Sequence, residues 1–325
     1  MQTMTQTAIV NLAFVGSGNW ARKHHFPALD YLRTHAADRF DVRLRGIYSL
    51  ERTEAAAVAE RYGFARVYDS LDALVADPEI NAVAVAVSPA AAADVLEQVI
   101  ALRVPIFSEK PPGISTAQAR YLSEIITVPN VLAFNRRFAP LNNIFKDIVD
   151  KMEHTYFVEG HFLRHNRLDE TFVIGTGIHW INFMTYLFGD IIHVSVDRFP
   201  NSQSETWMRI AQVIFAGGLK GTLKFFPCTG SQVERIEVHN NVQSAYLDGP
   251  LGDNPGKIVI EAGTERQVIQ PEALSAAPEI VRIGIVGEYE VFFETVCDGA
   301  PSRSTFQNAV NAMQVAEAIE YGWGF

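Results

Sequence analysis

The sequence predicts an α/β unit with a parallel sheet, followed by an α+β unit with a large, mostly antiparallel open sheet. Three observations predict it. Strand-like and helix-like segments alternate through the first part of the chain, as βαβ units require. A glycine-rich turn directly follows the first strand-like run. After about residue 150, strands follow one another across short Gly, Asn and Asp turns without helices between them, the pattern of an antiparallel sheet. A chain of 325 residues has room for two domains at ~150 residues each. They are expected over 1–135 and 136–325.

Each element has its own reason. Residues 8–15 are apolar but for Asn11 and end in glycines. Residues 42–48 are rich in β-branched and aromatic side chains, and 82–87 alternate Ala and Val with no polar residue. Such a run suits a strand buried on both faces. Residues 105–107 and 131–134 are two further short strands. Between them, 52–62 is Ala- and Glu-rich and closes at Gly63, a natural helix stop. Ser70 is placed to cap 71–76, and Ser115 opens a helix to about 126 with capping-box spacing to Gln118. In the second part a strong helix is expected over 177–188, stopping at Gly189. Strands are expected at 191–196, 207–214, 219–226, 233–238 and 257–260, and helices at 288–297 and 307–321.

Composition excludes several classes. Lys and Arg number 27 against 37 Asp and Glu, a net charge of −10, which argues against nucleic acid or an anionic membrane as partner. Two cysteines, Cys228 and Cys297, cannot build a disulfide framework or a zinc site alone, and are expected reduced. His24-His25 is an adjacent pair with no acid cluster beside it in sequence, so no metal is expected. Residues 1–10 carry no signal-peptide pattern, and no apolar run approaches the ~20 residues that span a bilayer. A cytoplasmic protein acting on a small molecule is the expectation.

Gly16-Ser17-Gly18-Asn19-Trp20-Ala21 matches G-x-G-x-x-[GA] at the first βα junction. Its glycines let backbone N–H groups approach a pyrophosphate at a helix N-terminus. The second strand ends in Ser49, where an acid usually holds the adenosine ribose, and Arg52 is close enough to pair with a phosphate. That leans toward NADP. NAD is the alternative, with Glu51 on the ribose. Ser88-Pro89 ends the all-apolar strand at the carboxyl edge of the sheet, where ligands of open α/β sheets bind. Ser108-Glu109-Lys110-Pro111-Pro112 ends the next strand at the same edge.

This set resembles the glucose–fructose oxidoreductase / inositol dehydrogenase (Gfo/Idh/MocA) family. The resemblance rests on the 16–21 turn, Glu109-Lys110-Pro111, Asn135-Arg136-Arg137-Phe138 and Gly177-Ile178-His179. It implies a Rossmann domain and then an α+β domain. It also implies a Lys110 that contacts substrate and nicotinamide ribose, often before a cis proline, and a homodimer or homotetramer through the second sheet. The chemistry of the residues agrees. Alcohol oxidation needs a base for the hydroxyl proton. A partly desolvated lysine beside a cationic ring holds its proton less firmly, and histidine titrates near pH ~6.5. Lys110 and His179 are therefore the candidate catalytic residues. Gly16, Ser17, Gly18, Asn19, Trp20, Ser49, Arg52, Ser88, Pro89, Glu109 and Lys110 are the candidate cofactor contacts.

His179, Asn182 and Tyr186 fall at i, i+3 and i+7, one polar stripe on an apolar helix. A polyhydroxyl substrate would satisfy that stripe, so Asn182 and Tyr186 join Arg137 and Arg164 as candidate substrate contacts. Arg164, His165 and Arg167 form a basic cluster that an anionic substrate or plain solvation would explain. The chain departs from the family where an Asp usually precedes the histidine by four residues: Gly175 stands there. The expected function is an NAD(P)-dependent oxidoreductase of a sugar, cyclitol or related hydroxy or keto compound. The alternatives are a dinucleotide-binding regulator without turnover, or a reductase of a non-sugar carbonyl.

Overall fold

The computed structural model describes residues 9–325. The expectations for residues 1–8 lie outside the described residues. Strand β1 (Ile9–Val15) is mostly buried because it lies inside its sheet, with a strand on each side. The turn after it enters a π-helical stretch, Ala21–His25, that continues as α1 (Phe26–His35). Strand β2 (Asp41–Tyr48) turns Val42 and Leu44 inward, and α2 (Arg52–Tyr62) stops at Gly63. Ser70 Oγ accepts the Ala73 N–H at 3.1 Å and starts α3 (Leu71–Val75). All four residues of β3 (Ala82–Val85) are buried. Then come α4 (Pro89–Val99), β4 (Ile106–Ser108), α5 (Thr116–Ile125), capped by Ser115, and β5 (Asn130–Leu132). The five strands are parallel in the order β2-β1-β3-β4-β5. The order reverses between β1 and β3, which makes their carboxyl ends the natural ligand crevice.

The second sheet follows α6 (Pro140–Val149) and begins with β6 (Phe157–Leu163). A second π-helical stretch, Val173–Gly177, leads into α7 (Ile178–Phe188). Strands β7 (Ile191–Pro200), β8 (Trp207–Phe215), β9 (Lys220–Phe226), β10 (Val233–His239), β11 (Ser244–Asp248), β12 (Lys257–Ala262) and β13 (Glu265–Ile269) come next. Short α8 (Glu272–Ala276) and α9 (Glu279–Arg282) precede α10 (Ile285–Asp298) and α11 (Phe306–Tyr321). The order is β13-β12-β11-β10-β6-β9-β8-β7, antiparallel throughout except for the parallel β6–β9 pair. Helix α7 presses onto this sheet. A Cβ on Gly177 would stand 2.9 Å from the Phe225 ring, and one on Gly160 3.0 Å from the Trp180 indole nitrogen. Side chains there would push helix and sheet apart.

The chain divides into two compact units. One holds the described residues up to Ala133 together with Ile285–Asn308; the other holds Phe134–Gly284 and Ala309–Phe325. The sequence reading assigned all of 136–325 to the second domain, so the return of Ile285–Asn308 to the first unit corrects it. The reason is packing: in α10, Phe292 and Tyr289 bury against Phe107 of β4. No helix among the described residues is long and apolar enough to cross a membrane.

Candidate functional site

The first unit carries a cavity of about 670 Å³ along the carboxyl ends of β1, β2, β3 and β4. Its floor is the glycine turn. Gly16 has φ +104°, and a Cβ there would meet the Ala86 carbonyl oxygen at 2.2 Å. Only glycine fits this crossing of β1 and β3. A Cβ on Gly18 would meet nothing within 4 Å, because that backbone faces open space. Ser17 is buried, and its Oγ has no hydrogen-bond partner among the described residues. An orphaned hydroxyl at a turn with one bare backbone face fits a polar ligand such as a pyrophosphate. Asn19 and Trp20 line the same cavity, as do Ser88 and Pro89 beyond β3.

At the adenosine end the structure separates the two residues that suggested NADP. Ser49 lines the cavity and donates its hydroxyl to Glu51 Oε2 at 2.9 Å. Glu51 lines it too, whereas Arg52 is not among the lining residues. The Arg52 guanidinium is instead ion-paired with Asp69, both side chains being exposed. Glu51 lines the space, while Arg52, expected as a cofactor contact, is held by Asp69 outside the lining.

Glu109 and Lys110 line the cavity just past β4. The Lys110–Pro111 peptide bond is cis. Glu109 Oε1 accepts the Trp20 indole N–H at 2.9 Å and lies 2.8 Å from His25 Nε2, while Oε2 accepts the Lys110 backbone N–H at 3.1 Å. Burial pushes this carboxyl up, but the hydrogen bonds from His25 and Trp20 and the charge of Lys110 outweigh it and hold the group below the usual carboxylate range. His25, Glu109 and the fully buried Glu288 each offer one ligand atom, all within 4.8 Å of one another. The expectation that no acids accompany the histidine pair is thus corrected: the fold brings them from β4 and α10. Both nitrogens of His25 are already engaged, by Glu109 and by the Tyr289 hydroxyl at 3.0 Å. Sequence spacing missed this cluster, because Glu288 is one of three glutamates along α10 and nothing in their spacing marks the buried one. His24 is buried beside Trp20 and its pKa is lowered to about 4, by burial first and then by Lys23 and His25.

The second unit holds the helix-borne candidates. Helix α7 buries His179 and Asn182, with His179 edge-on to the Phe134 ring at 5.9 Å between centroids. Arg137 is buried as well. It donates to Asn182 Oδ1 at 2.5 Å, and its guanidinium lies 5.0 Å from the Tyr186 ring centroid. The fold therefore brings Arg137, Asn182 and Tyr186 together and supplies part of the polar stripe's partnership from the protein itself. Asn182 Nδ2 keeps no hydrogen-bond partner among the described residues.

Arg164 does not fit its expected role. It is buried, ion-paired with Glu234, and stacked at 3.7 Å over the Phe162 ring. Glu234 also takes Arg136. Burial pushes the Glu234 carboxyl up, but the two guanidiniums hold it below the usual range. Arg167 pairs with Asp169 at 2.6 Å. Arg164 and Arg167 are thus each engaged by an acid within the fold, which corrects Arg164 as a substrate contact. A further residue escaped the sequence reading. Glu320 of α11 accepts the Val173 and Ile174 N–H groups at 2.5 and 3.3 Å and pairs with Arg209, anchoring the start of the helix that carries His179.

Comparison with known proteins agrees with the geometry. Residues 10–134 match the oxidoreductase family described as having an NAD-binding Rossmann fold. The uncharacterized protein YMR315W of Saccharomyces cerevisiae is 24% identical over 208 residues, 57% of this chain and 57% of its own length. This chain thus spans little more than half of that relative. Levoglucosan dehydrogenase, solved with NADH and levoglucosan, superposes with a TM-score of 0.84 at 14% identity, over 97% of each chain. UDP-N-acetylglucosamine 3-dehydrogenase GnnA from Acidithiobacillus ferrooxidans gives 0.80 at 17% identity, over 97% of this chain and 98% of its own. These likenesses show a shared fold. The glycine turn, the Glu109-Lys110-Pro111 stretch and its cis bond at the cavity wall all lie within residues 10–134, the stretch that matches the Gfo/Idh/MocA oxidoreductase family.

Proposed function

We propose that the protein is an NAD(H)-dependent oxidoreductase acting between an alcohol and its carbonyl, with a sugar, cyclitol or related polyhydroxy compound as substrate. The observation that carries this reading is the placement of Lys110 on the wall of the cavity that starts at the glycine turn. Gly16, Ser17 and Gly18 would hold the pyrophosphate and Glu51 the adenosine ribose. A carboxylate there accepts a ribose hydroxyl and repels a 2′-phosphate, which favours NAD(H) over NADP(H). When bound, the dinucleotide supplies the hydride acceptor or donor. Lys110 takes up or returns the hydroxyl proton, and Glu109 fixes the backbone from which it projects. His179 is a second candidate for proton handling. The sugar chemistry is supported by what levoglucosan dehydrogenase and GnnA act on.

A panel of sugars, cyclitols and polyols with NAD+ tests the reading. On the substrate so found, Lys110→Ala is expected to lower kcat by about 10²–10⁴-fold; full turnover would remove Lys110 from the mechanism. The competing reading, a dinucleotide-binding regulator, draws on Gly175, which offers no carboxylate where the family usually has one. Tight NADH binding without activity across the panel would favour it. We also propose a homo-oligomer through the second sheet. The half-exposed residues Leu163, Val233 and Phe226 lie side by side in register across β6, β10 and β9. A monomeric mass by light scattering at micromolar concentration would contradict this.

A further inference from the structure

Glu109 is held more elaborately than a wall residue needs. Its Oε1 is shared by the Trp20 indole N–H at 2.9 Å and His25 Nε2 at 2.8 Å. A carboxylate only accepts, so Nε2 carries the hydrogen there. His25 Nδ1 is then free to accept the Tyr289 hydroxyl, 3.0 Å away. His25 and Tyr289 are both fully buried. Their rings meet edge to face, and Tyr289 stacks on Phe107 of β4 with ring centroids 4.4 Å apart. A chain of hydrogen bonds thus runs from α10, through the π-helical stretch after the glycine turn, to the carboxylate. The other carboxylate oxygen receives the backbone N–H of Lys110 at 3.1 Å. The π-helical geometry matters, because it buries the adjacent His24 and His25 together.

We propose that His25 and Tyr289 are positioning residues that lock the Glu109 carboxylate on Lys110's backbone and so fix how that carboxylate faces the Lys110 ammonium. The inference deepens the proposed oxidoreductase reading by adding two residues behind Lys110 that touch neither cofactor nor substrate. The titratable groups around Glu109 are His24 and His25 from the π-helical stretch, Lys110 from its own loop, and Glu288 and Tyr289 from α10. Of these, His25 bonds the side-chain carboxylate directly, and Tyr289 in turn fixes the His25 ring.

The test reads Lys110 itself. The full-length chain is labelled with a trace acylating reagent from pH 7 to pH 11, and modification of the Lys110 peptide is followed by mass spectrometry. Four variants are compared: His25→Leu, Tyr289→Phe, His25→Gln and Phe292→Leu. Tyr289→Phe removes one hydroxyl. His25→Gln keeps an N–H donor, whereas Phe292→Leu loosens the same core without touching the chain of bonds. With the lock gone, the carboxylate no longer keeps a fixed orientation to the ammonium. The labelling midpoint should therefore shift by at least about 0.5 pH in His25→Leu and Tyr289→Phe, return toward wild type in His25→Gln, and stay put in Phe292→Leu. Unchanged midpoints in the first two variants, or an equal change in Phe292→Leu, would overturn the proposal. Labelling needs neither substrate nor dinucleotide. A protein that binds NADH without turnover would defeat the oxidoreductase reading and leave this result standing on its own.

Discussion

Gly16 is the position the proposed dinucleotide site tolerates least change at. Its φ of +104° and the 2.2 Å approach of a Cβ to the Ala86 carbonyl rule out any side chain without displacing β1 from β3. Gly16→Ala is expected to weaken NADH binding at least about tenfold, measured by fluorescence titration. Glu51→Ala removes the carboxylate from the adenosine end, and the ratio of NADPH to NADH Kd should fall toward one. An unchanged ratio would show that Glu51 does not select the cofactor. Arg164 makes the opposite point. Its charge was legible and its partner was not, because Glu234 lies 70 residues away in sequence and pairs with it only through β6 and β10. Arg164→Met should cost about 3 kcal/mol of stability, by leaving Glu234 with Arg136 alone. Denaturant melts measure that cost.

Helix α7 shows what an element owes to the rest of the chain. The apolar run with one polar stripe made the helix legible, and Gly189 made its end legible. Its start was legible to within one residue, but the π-helical stretch before it was hidden. The π-helical stretch Val173–Gly177 is held by Glu320, nearly 150 residues later. Burial pushes the Glu320 carboxyl up, against the pull of Arg209 and the Val173 and Ile174 N–H groups. Glu320→Ala removes the acceptor for both amides. Hydrogen exchange at Val173 and Ile174 should quicken at least about tenfold, ahead of global unfolding. Unchanged protection there would show that Glu320 does not anchor the helix. Three strands were also illegible, for reasons visible in their residues. In β6, Gly160 reads as a break, yet it is there so that Trp180 can approach. The run β11 is short, and β13 is an exposed edge with almost no apolar face. In β13 neither face is buried, so the two-residue period fades from the sequence. The parallel strands β1 and β3 were plain because burial on both faces leaves them apolar but for Asn11.

For the whole molecule, acid stability follows from carboxylates that folding holds ionised. Asp77 is the clearest. Burial would push it up, but the Tyr68 hydroxyl at 2.6 Å, the Glu79 N–H at 3.0 Å and the Arg45 guanidinium bring it down to about 2. Its folded pKa lies below its unfolded one, so the unfolded chain binds more protons between the two values. The stabilisation is therefore complete above the ordinary aspartate range near pH ~4 and is lost as the pH falls toward about 2. Glu109 and Glu234 are lowered too and act in the same direction. Asp77→Asn should be less stable than wild type at pH 7 and lose less between pH 4 and pH 2; parallel melting curves for the two proteins would contradict this. The net charge of −10 describes the chain as a whole. It could not show that Arg164 and Arg167 were each already paired with an acid.

The central claim is that the cavity bounded by Gly16, Glu51 and Lys110 holds a nicotinamide dinucleotide. Calorimetric titration of the full-length protein with NADH and with NADPH tests it most directly. The account predicts one NADH per chain with a Kd below about 100 μM, NADPH binding at least about tenfold weaker, and a large loss of NADH affinity in Gly16→Ala. Absence of saturable binding of either dinucleotide up to millimolar concentration would contradict it.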